Sequence, residues 1–80
     1  MTKVDIITPE HTLFSNNEVK SIIVPGMDGH IEILNNHAPI ISLLGEGEIT
    51  IKFDSNTEKI SIKSGLIECL KNNVNVLVEK

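Results

Sequence analysis

Residues 24–41 constrain the fold of this chain more than any other stretch, because closely spaced turn signals interrupt a run of strand-forming residues. Pro25-Gly26 begins with a fixed φ, and Asp28-Gly29 tolerates positive φ, so the chain is predicted to reverse before a strand over residues 31–34. A bend at His37-Ala38-Pro39 follows. Apolar residues lie close on both sides of these turns, which favours a shaped edge of a β-sandwich over a flexible loop.

The rest of the chain has the spacing of strands and turns that is typical of an all-β domain. Apolar and polar residues alternate over 49–54 and 60–63, which predicts a hairpin, and again over 73–78, which predicts a last strand. Residues 65–72 have a helix-like stripe, but the glycine at the start and the asparagines at the end favour a strand. Polar turns are predicted at Asn16-Asn17, Pro25-Gly26, Asp28-Gly29, Asn35-Asn36, Gly45-Glu46-Gly47, Asp54-Ser55-Asn56 and Asn72-Asn73. The predicted fold is a flattened antiparallel β-sandwich or barrel of about eight to ten short strands.

Length and cysteine content bound the organisation. The 80 residues form a single predicted domain, residues 1–80. The lone Cys69 has no partner for an intramolecular disulfide, and its apolar surroundings indicate a buried, unreactive thiol in a reducing compartment. No apolar run approaches the roughly 20 residues that span a bilayer, and no signal-peptide core precedes the first strand. We therefore expect a cytosolic or peripheral chain.

Charge and aromatic content exclude two classes of partner. The formal net charge is −4, and the chain has two Phe but no Trp or Tyr. We do not expect nucleic acid to be a partner, because the chain lacks the side chains that neutralise phosphates and stack on bases. The missing aromatic platforms also count against a sugar or another small-molecule substrate.

No arrangement typical of catalysis or metal binding is present. His11, His30 and His37 lack the close spacing of metal ligands, and no second cysteine assists them. Glu46 and Glu48 stand in a glycine-containing turn, but the lysine and helix of a phosphate loop are missing. We predict no catalytic, cofactor-binding or metal-ligating residue, and no cofactor. His37, in its bend, either bonds the backbone of the turn or donates to a partner, and both interpretations stay open.

A polar row is predicted along the strand that follows the first reversal. Asp28, His30 and Glu32 should project to one side, opposite Ile31 and Ile33. The row is either a solvated strand face or a docking edge for a basic loop.

Residues 24–41 resemble the N-terminal β-sandwich of the epsilon subunit of F-type ATP synthases, whose pattern reads Val-x-Gly, two residues, Gly, an apolar strand and His-Ala-Pro. Further segments match that family in order along essentially the whole chain. They are Val4-Asp5-Ile6-Ile7-Thr8-Pro9-Glu10, Leu13-Phe14-Ser15, Ser64-Gly65-Leu66-Ile67-Glu68 and Asn75-Val76-Leu77-Val78.

The resemblance implies a mechanical role. In that family the domain lies in the central stalk, bound to the gamma subunit and resting on the polar loops of the membrane-embedded c-ring. The chain would then be a non-catalytic rotor subunit that helps to couple proton flow to ATP synthesis. Its partners would be gamma and the c-ring, and it would lie peripherally on the cytoplasmic face of a bacterial inner membrane or an equivalent energy-transducing membrane.

The resemblance also assigns surfaces to particular residues. The c-ring-facing residues would be Met27, Asp28, Gly29, His30 and Glu32, and the gamma-facing residues would be Thr8, Glu10, His37, Ala38 and Pro39. His30 stands where many relatives carry an acid, and Glu32 where many carry glycine, so the acid would be displaced by two residues on the same side of the strand, and which residue pairs with an arginine or lysine of the ring stays open. Asn36 stands where relatives often have glycine, a mild change because asparagine accepts left-handed φ.

The family commonly continues into a two-helix hairpin that restrains ATP hydrolysis and can bind nucleotide, whereas this sequence stops at Lys80. It is either a short epsilon subunit or one without its hairpin. Two alternatives of other classes remain. One is a free-standing β-sandwich module that binds another protein, and the other is a small metal-dependent enzyme that uses its three histidines.

Overall fold

The computed structural model describes residues 2–80 and is all-β. Its nine strands are β1 (Thr2–Ile7), β2 (Thr12–Val19), β3 (Ser21–Gly26), β4 (Gly29–Leu34), β5 (Ile40–Leu44), β6 (Gly47–Lys52), β7 (Thr57–Ile62), β8 (Ser64–Leu70) and β9 (Asn73–Glu79). The predicted fold class and the approximate number of strands are confirmed.

The strands form one curled sheet in two halves. One half has the order β2-β1-β9-β8-β5, and the other has β3 flanked by β4 on one side and by β6 and β7 on the other. The halves meet where Gly26 of β3 pairs with Leu44 of β5. All strand pairs are antiparallel except β1 with β9, which is parallel. Residues of both halves bury their side chains in a single core, so the sheet closes on itself as a sandwich does.

Alternation along most of the strands builds the core, although β3 is buried at four of its six positions. In β9, Val74, Val76 and Val78 are buried while the residues between them are exposed. Among residues 2–80, the buried hydrophobic residues are Val4, Ile6, Val19, Ile22, Val24, Ile33, Leu44, Ile49, Ile51, Ile62, Ile67, Cys69, Val74, Val76 and Val78. The burial predicted for Cys69 is confirmed, and it raises the pKa of the thiol because an apolar environment disfavours the thiolate.

Two of the predicted hairpin features are confirmed. Strands β6 and β7 form the expected hairpin, closed by a hydrogen bond from Phe53 N to Asn56 O at 2.9 Å. Residues 64–70 form a strand rather than a helix. The β8–β9 turn is centred on Lys71 and Asn72, one residue earlier than predicted, and both have positive φ, as type I′ hairpin turns require.

Three local predictions were wrong or incomplete. The Asn16-Asn17 pair lies inside β2, where the register shifts, and Asn16 Oδ1 accepts a hydrogen bond from Glu18 N. Pro25-Gly26 ends β3 instead of turning, so only one reversal separates β3 from β4. Strand β5 was not predicted at all, since its five residues, Ile-Ile-Ser-Leu-Leu, show little alternation.

Candidate docking surfaces

The reversal between β3 and β4 is a tight turn made by Met27 and Asp28. Gly26 and Gly29 pair across its base, and Gly29 has a φ of +133°. A Cβ on Gly26 would lie 2.6 Å from the carbonyl oxygen of Gly29, so a side chain there would collide with the partner backbone. Glycine at positions 26 and 29 is therefore a steric requirement of this turn. Met27 lies at the tip of the turn and is 66% exposed.

The same turn is fastened to the end of β5. Gly45 N donates to Pro25 O at 2.8 Å, and Met27 N donates to Leu43 O at 3.3 Å. These two backbone hydrogen bonds, both on the β3 side of the turn, restrict its motion relative to β5. The turn is thus a supported projection of the sheet.

The predicted polar row is partly confirmed. His30 and Glu32 are exposed on β4, whereas Ile33 is buried, so the two faces of the strand divide as expected. Asp28 is also exposed but lies in the turn, ahead of the strand. Glu32 Oε2 lies 3.8 Å from Lys52 Nζ. Asp28 has no such partner among the described residues, so its carboxylate is the more available of the two.

The His37-Ala38-Pro39 bend is a corner between β4 and β5. His37 N donates to Leu34 O at 3.2 Å, and the preceding Asn36 has a φ of +65°. The Nδ1 atom of His37 lies 2.6 Å from Ala38 O. Because a carbonyl only accepts, Nδ1 is the donor of this hydrogen bond. Of the two interpretations left open for His37, the structure supports the bond to the backbone of the bend.

Thr8 and Glu10 lie in the loop between β1 and β2. Thr8 N donates to His11 O at 2.8 Å, and Thr8 Oγ1 accepts hydrogen bonds from the backbone N–H groups of Glu10 and His11. This side-chain turn fixes the loop where β1 ends. An open groove of about 720 Å³ is lined by this loop together with Met27.

The register places the expected gamma-facing residues at opposite ends of one half of the sheet. Strands β1, β9 and β5 run in the same direction, so Thr8 and Glu10 follow the end of β1 near the end of β5. The residues 37–39 precede the start of β5, at the other end. Thr8 and Glu10 therefore lie nearer to Met27 than to the His37 corner.

An apolar row that the sequence analysis missed crosses these strands near the end of the sheet that carries Thr8. Leu43 of β5 pairs with Leu66 of β8, Leu66 pairs with Leu77 of β9, and Leu77 pairs with Ile7 of β1. All four point outward, with exposed fractions of 63% for Leu43, 39% for Leu66, 45% for Leu77 and 39% for Ile7. The outer apolar row, as we call these four residues, continues to Ile41, which is 70% exposed on the same face. The outward-facing positions of β9 that alternate with its buried valines are otherwise polar. The leucine at position 77 could therefore have indicated this row from the sequence.

The three histidines do not converge. His11 lies in the β1–β2 loop, His30 on β4 and His37 at the corner. Among residues 2–80, no group of three or more His, Cys, Asp or Glu side chains is placed to hold a metal ion. The metal-enzyme alternative therefore gains no support from this part of the chain. Nor does a helix long and apolar enough to cross a membrane occur among residues 2–80.

The fold and these surfaces define the class of the protein. It is a β-sandwich domain whose distinctive features are an exposed turn, a corner and an outer apolar row. Comparison with known proteins is more specific: the chain belongs to the family of ATP synthase Delta/Epsilon chain β-sandwich domains, whose model matches residues 1–80. The resemblance inferred from the sequence is thereby confirmed.

Individual relatives agree with this assignment. The chain is 40% identical over 76 residues to an ATP synthase epsilon chain of Leptospira borgpetersenii, covering 95% of this chain and 59% of the relative. It is 36% identical over 78 residues to an ATP synthase epsilon chain of Chlorobium limicola, covering 96% of this chain and 88% of that one. The chain thus spans about three fifths of the Leptospira relative and most of the Chlorobium one.

Solved structures share the fold. A chain in the central stalk and c-ring structure of Tetrahymena thermophila mitochondrial ATP synthase superposes with a TM-score of 0.84 at 15% identity, over 99% of this chain and 63% of that one. A chain in the Euglena gracilis mitochondrial ATP synthase, in a structure that includes F1 and the c-ring, gives 0.90 at 13% identity, over 99% of this chain and 51% of that one. At such low identity, these matches establish the fold alone.

Proposed function

We propose that this chain is the β-sandwich of an epsilon subunit and acts as a non-catalytic rotor subunit in the central stalk of a proton-translocating F-type ATP synthase. It docks on gamma and on the c-ring, and so helps to couple proton flow to ATP synthesis. The observation that carries the proposal is the match to epsilon chains along 95% of the sequence. Its place in the cell is peripheral, on the cytoplasmic face of a bacterial inner membrane or an equivalent membrane.

The outer apolar row is the proposed centre of the gamma-binding surface. Four large apolar side chains in register across four strands make a contiguous patch of the kind that marks protein interfaces. Thr8 and Glu10 follow Ile7 at one end of this half of the sheet, next to the row, whereas His37, Ala38 and Pro39 lie at the opposite end, ahead of β5. The row thus adjoins Thr8 and Glu10 directly, and exposed Ile41 extends the apolar surface along β5 toward the His37 corner.

The turn at Met27 and Asp28 is the proposed contact with the c-ring, together with Gly29, His30 and Glu32 on the adjoining strand. Asp28 is the better candidate to meet a basic side chain of a ring loop. Its carboxylate is exposed, whereas the carboxylate of Glu32 lies beside Lys52. An exposed ion pair of that kind contributes only about 0–1 kcal/mol, so Glu32 could exchange partners, but it has to give up Lys52 first.

Strand β5 connects the two proposed surfaces. It carries Leu43 of the outer apolar row, begins next to the His37 corner and bonds the Met27 turn through its backbone. A force applied at the turn is therefore transmitted through hydrogen-bonded backbone, with no flexible loop between. This arrangement suits a subunit that transmits rotation.

The proposal is tested by the affinity of the chain for the purified gamma subunit of the same organism. Leu66→Gln keeps the size of an outward-facing side chain but removes its apolar surface. Complete burial of an exposed leucine side chain contributes about 1.5–3 kcal/mol, and Leu66 is 39% exposed, so we expect binding to weaken about three- to sevenfold. Ser61→Gln, at an exposed position on the distant strand β7, is the matched control and should bind normally.

A pull-down of the tagged chain from mild-detergent extracts of its own membranes complements this measurement. Recovery of gamma with the catalytic subunits supports the rotor role. Recovery of the chain alone, together with no measurable binding to purified gamma, would refute it and would favour the free-standing binding module.

A further inference from the structure

Two asparagines from distant parts of the chain bind each other at the end of the sheet that carries the His37 corner. Asn36 lies in the β4–β5 connection and Asn72 in the β8–β9 turn. Asn36 N donates to Asn72 Oδ1 at 2.6 Å, and Asn72 Nδ2 donates to Asn36 Oδ1 at 3.2 Å. Their φ angles are +65° and +64°, in the left-handed region that asparagine tolerates better than most residues. We call this pair the asparagine clamp.

The clamp attaches the His37 corner to the β8–β9 turn, which is distant from it in sequence. Within residues 2–80, its two hydrogen bonds are the only ones that tie residues 35–39 to a part of the chain distant in sequence. The other bonds of the corner are local, from His37 to Leu34 O and to Ala38 O. Pro39 has no N–H to contribute. Ala38 and Pro39 are exposed, so little else holds them in place.

We infer that Asn36 and Asn72 are positioning residues, which hold His37, Ala38 and Pro39 in the conformation that binds a partner. The inference rests on the proposed role of those three residues at the gamma surface. A segment that is ordered before association does not lose conformational entropy on binding, so pre-organisation raises affinity without a new contact. Water competes for both bonds of the exposed clamp, so its loss should cost the fold only a small part of its stability and should lower the affinity for gamma by at most the same free energy.

Three glycine substitutions separate the clamp from the turns that carry it. Glycine accepts positive φ at each position, so the backbone of the turns stays unstrained. Asn72→Gly removes both hydrogen bonds. Asn36→Gly removes only the bond between the side chains, because the Asn36 N–H remains available to Asn72. Lys71→Gly alters the same hairpin turn, where Lys71 also has positive φ, but leaves the clamp intact.

The measurement is the dissociation constant of each folded variant with purified gamma, well below its melting temperature. We expect Asn72→Gly to bind about fivefold more weakly, as loss of two modest hydrogen bonds implies, Asn36→Gly to lie between it and the parent, and Lys71→Gly to bind normally. Hydrogen exchange at His37 N–H should be faster in Asn72→Gly than in the parent. A purely structural role would lower the melting temperature but leave the affinity of the folded chain unchanged.

Each outcome separates this inference from the function on which it rests. If Leu66→Gln weakens binding and Asn72→Gly does not, the clamp is not a positioning device and the gamma-binding proposal stands. If Asn72→Gly weakens binding and Leu66→Gln does not, the clamp is supported and the assignment of the outer apolar row is overturned. If the parent chain fails to bind gamma, both are overturned.

Discussion

Replacing Gly26 by alanine should destabilise the domain through one identifiable collision. Gly26 is the last residue of β3 and pairs with Gly29 across the Met27 turn. An added Cβ would lie 2.6 Å from Gly29 O and 2.9 Å from Ile31 Cδ1. The isoleucine side chain can rotate away. The carbonyl oxygen belongs to the partner backbone, so it can retreat only if the hairpin opens.

The cost follows from those two contacts. Inserting a methyl group into a filled site costs about 1–3 kcal/mol, and opening the pair weakens a backbone hydrogen bond whose net contribution is about 0.5–1.5 kcal/mol. We expect a loss of about 2–3 kcal/mol, from a domain stability that is typically about 5–15 kcal/mol. For a domain of this size, such a loss lowers the melting temperature by about 10–20 °C.

Urea unfolding followed by far-ultraviolet circular dichroism measures this free energy. Gly45→Ala is the matched control, because its added Cβ would meet only Met27 Sδ, at an ordinary 3.5 Å. The control should stay within about 0.5 kcal/mol of the parent. If Gly26→Ala and Gly45→Ala unfold at the same urea concentration as the parent, the steric reasoning about the turn is wrong.

Three further predictions address the core, the thiol and the proposed ring surface. Ile51→Asp and Val76→Asp should each abolish the cooperative unfolding transition, because both side chains are fully buried and an unpaired buried charge costs several kcal/mol; a sharp melting curve for either would contradict the core assignment. Burial raises the pKa of the Cys69 thiol, so the unfolded chain loses this proton first as pH rises and stability falls above the unfolded-state pKa; in Cys69→Ala that part of the alkaline decline should disappear from urea titrations. Asp28→Lys should keep the parent melting temperature but lower proton-driven ATP synthesis in membranes, more than Glu32→Lys does, and equal synthesis by both variants and the parent would exclude this ring contact.

Local turns and alternation were largely readable from the sequence. The β6–β7 turn was predicted from Asp54, Ser55 and Asn56, and the buried face of β9 from its alternating valines. Both features depend on residues that are close in sequence. The turn predicted at Asn16-Asn17 was wrong because a polar pair also fits an irregularity inside a strand. There the Asn16 side chain accepts a hydrogen bond from the backbone of Glu18. Residues 40–44 escaped notice because what makes them a strand is their pairing with β8.

For the candidate surfaces too, the local features could be predicted from the sequence and the long-range contacts could not. The sequence indicated the exposed side of β4 and the importance of the Gly26 to Gly29 turn, both of which are local. It could not show that Glu32 lies beside Lys52, twenty residues away in sequence. Nor could it show that Asn36 meets Asn72, whose separation in sequence is 36 residues.

By itself, the sequence determined which side of most strands is buried, where the main reversals occur and to which family the chain belongs. The tertiary structure alone decided which strands are neighbours, above all the parallel pairing of β1 with β9. The physical reason is that a two-residue period orients side chains within one strand but leaves the partner and the register of that strand to the packing of the whole core. The outer apolar row exists only because that packing sets Leu43, Leu66, Leu77 and Ile7 side by side.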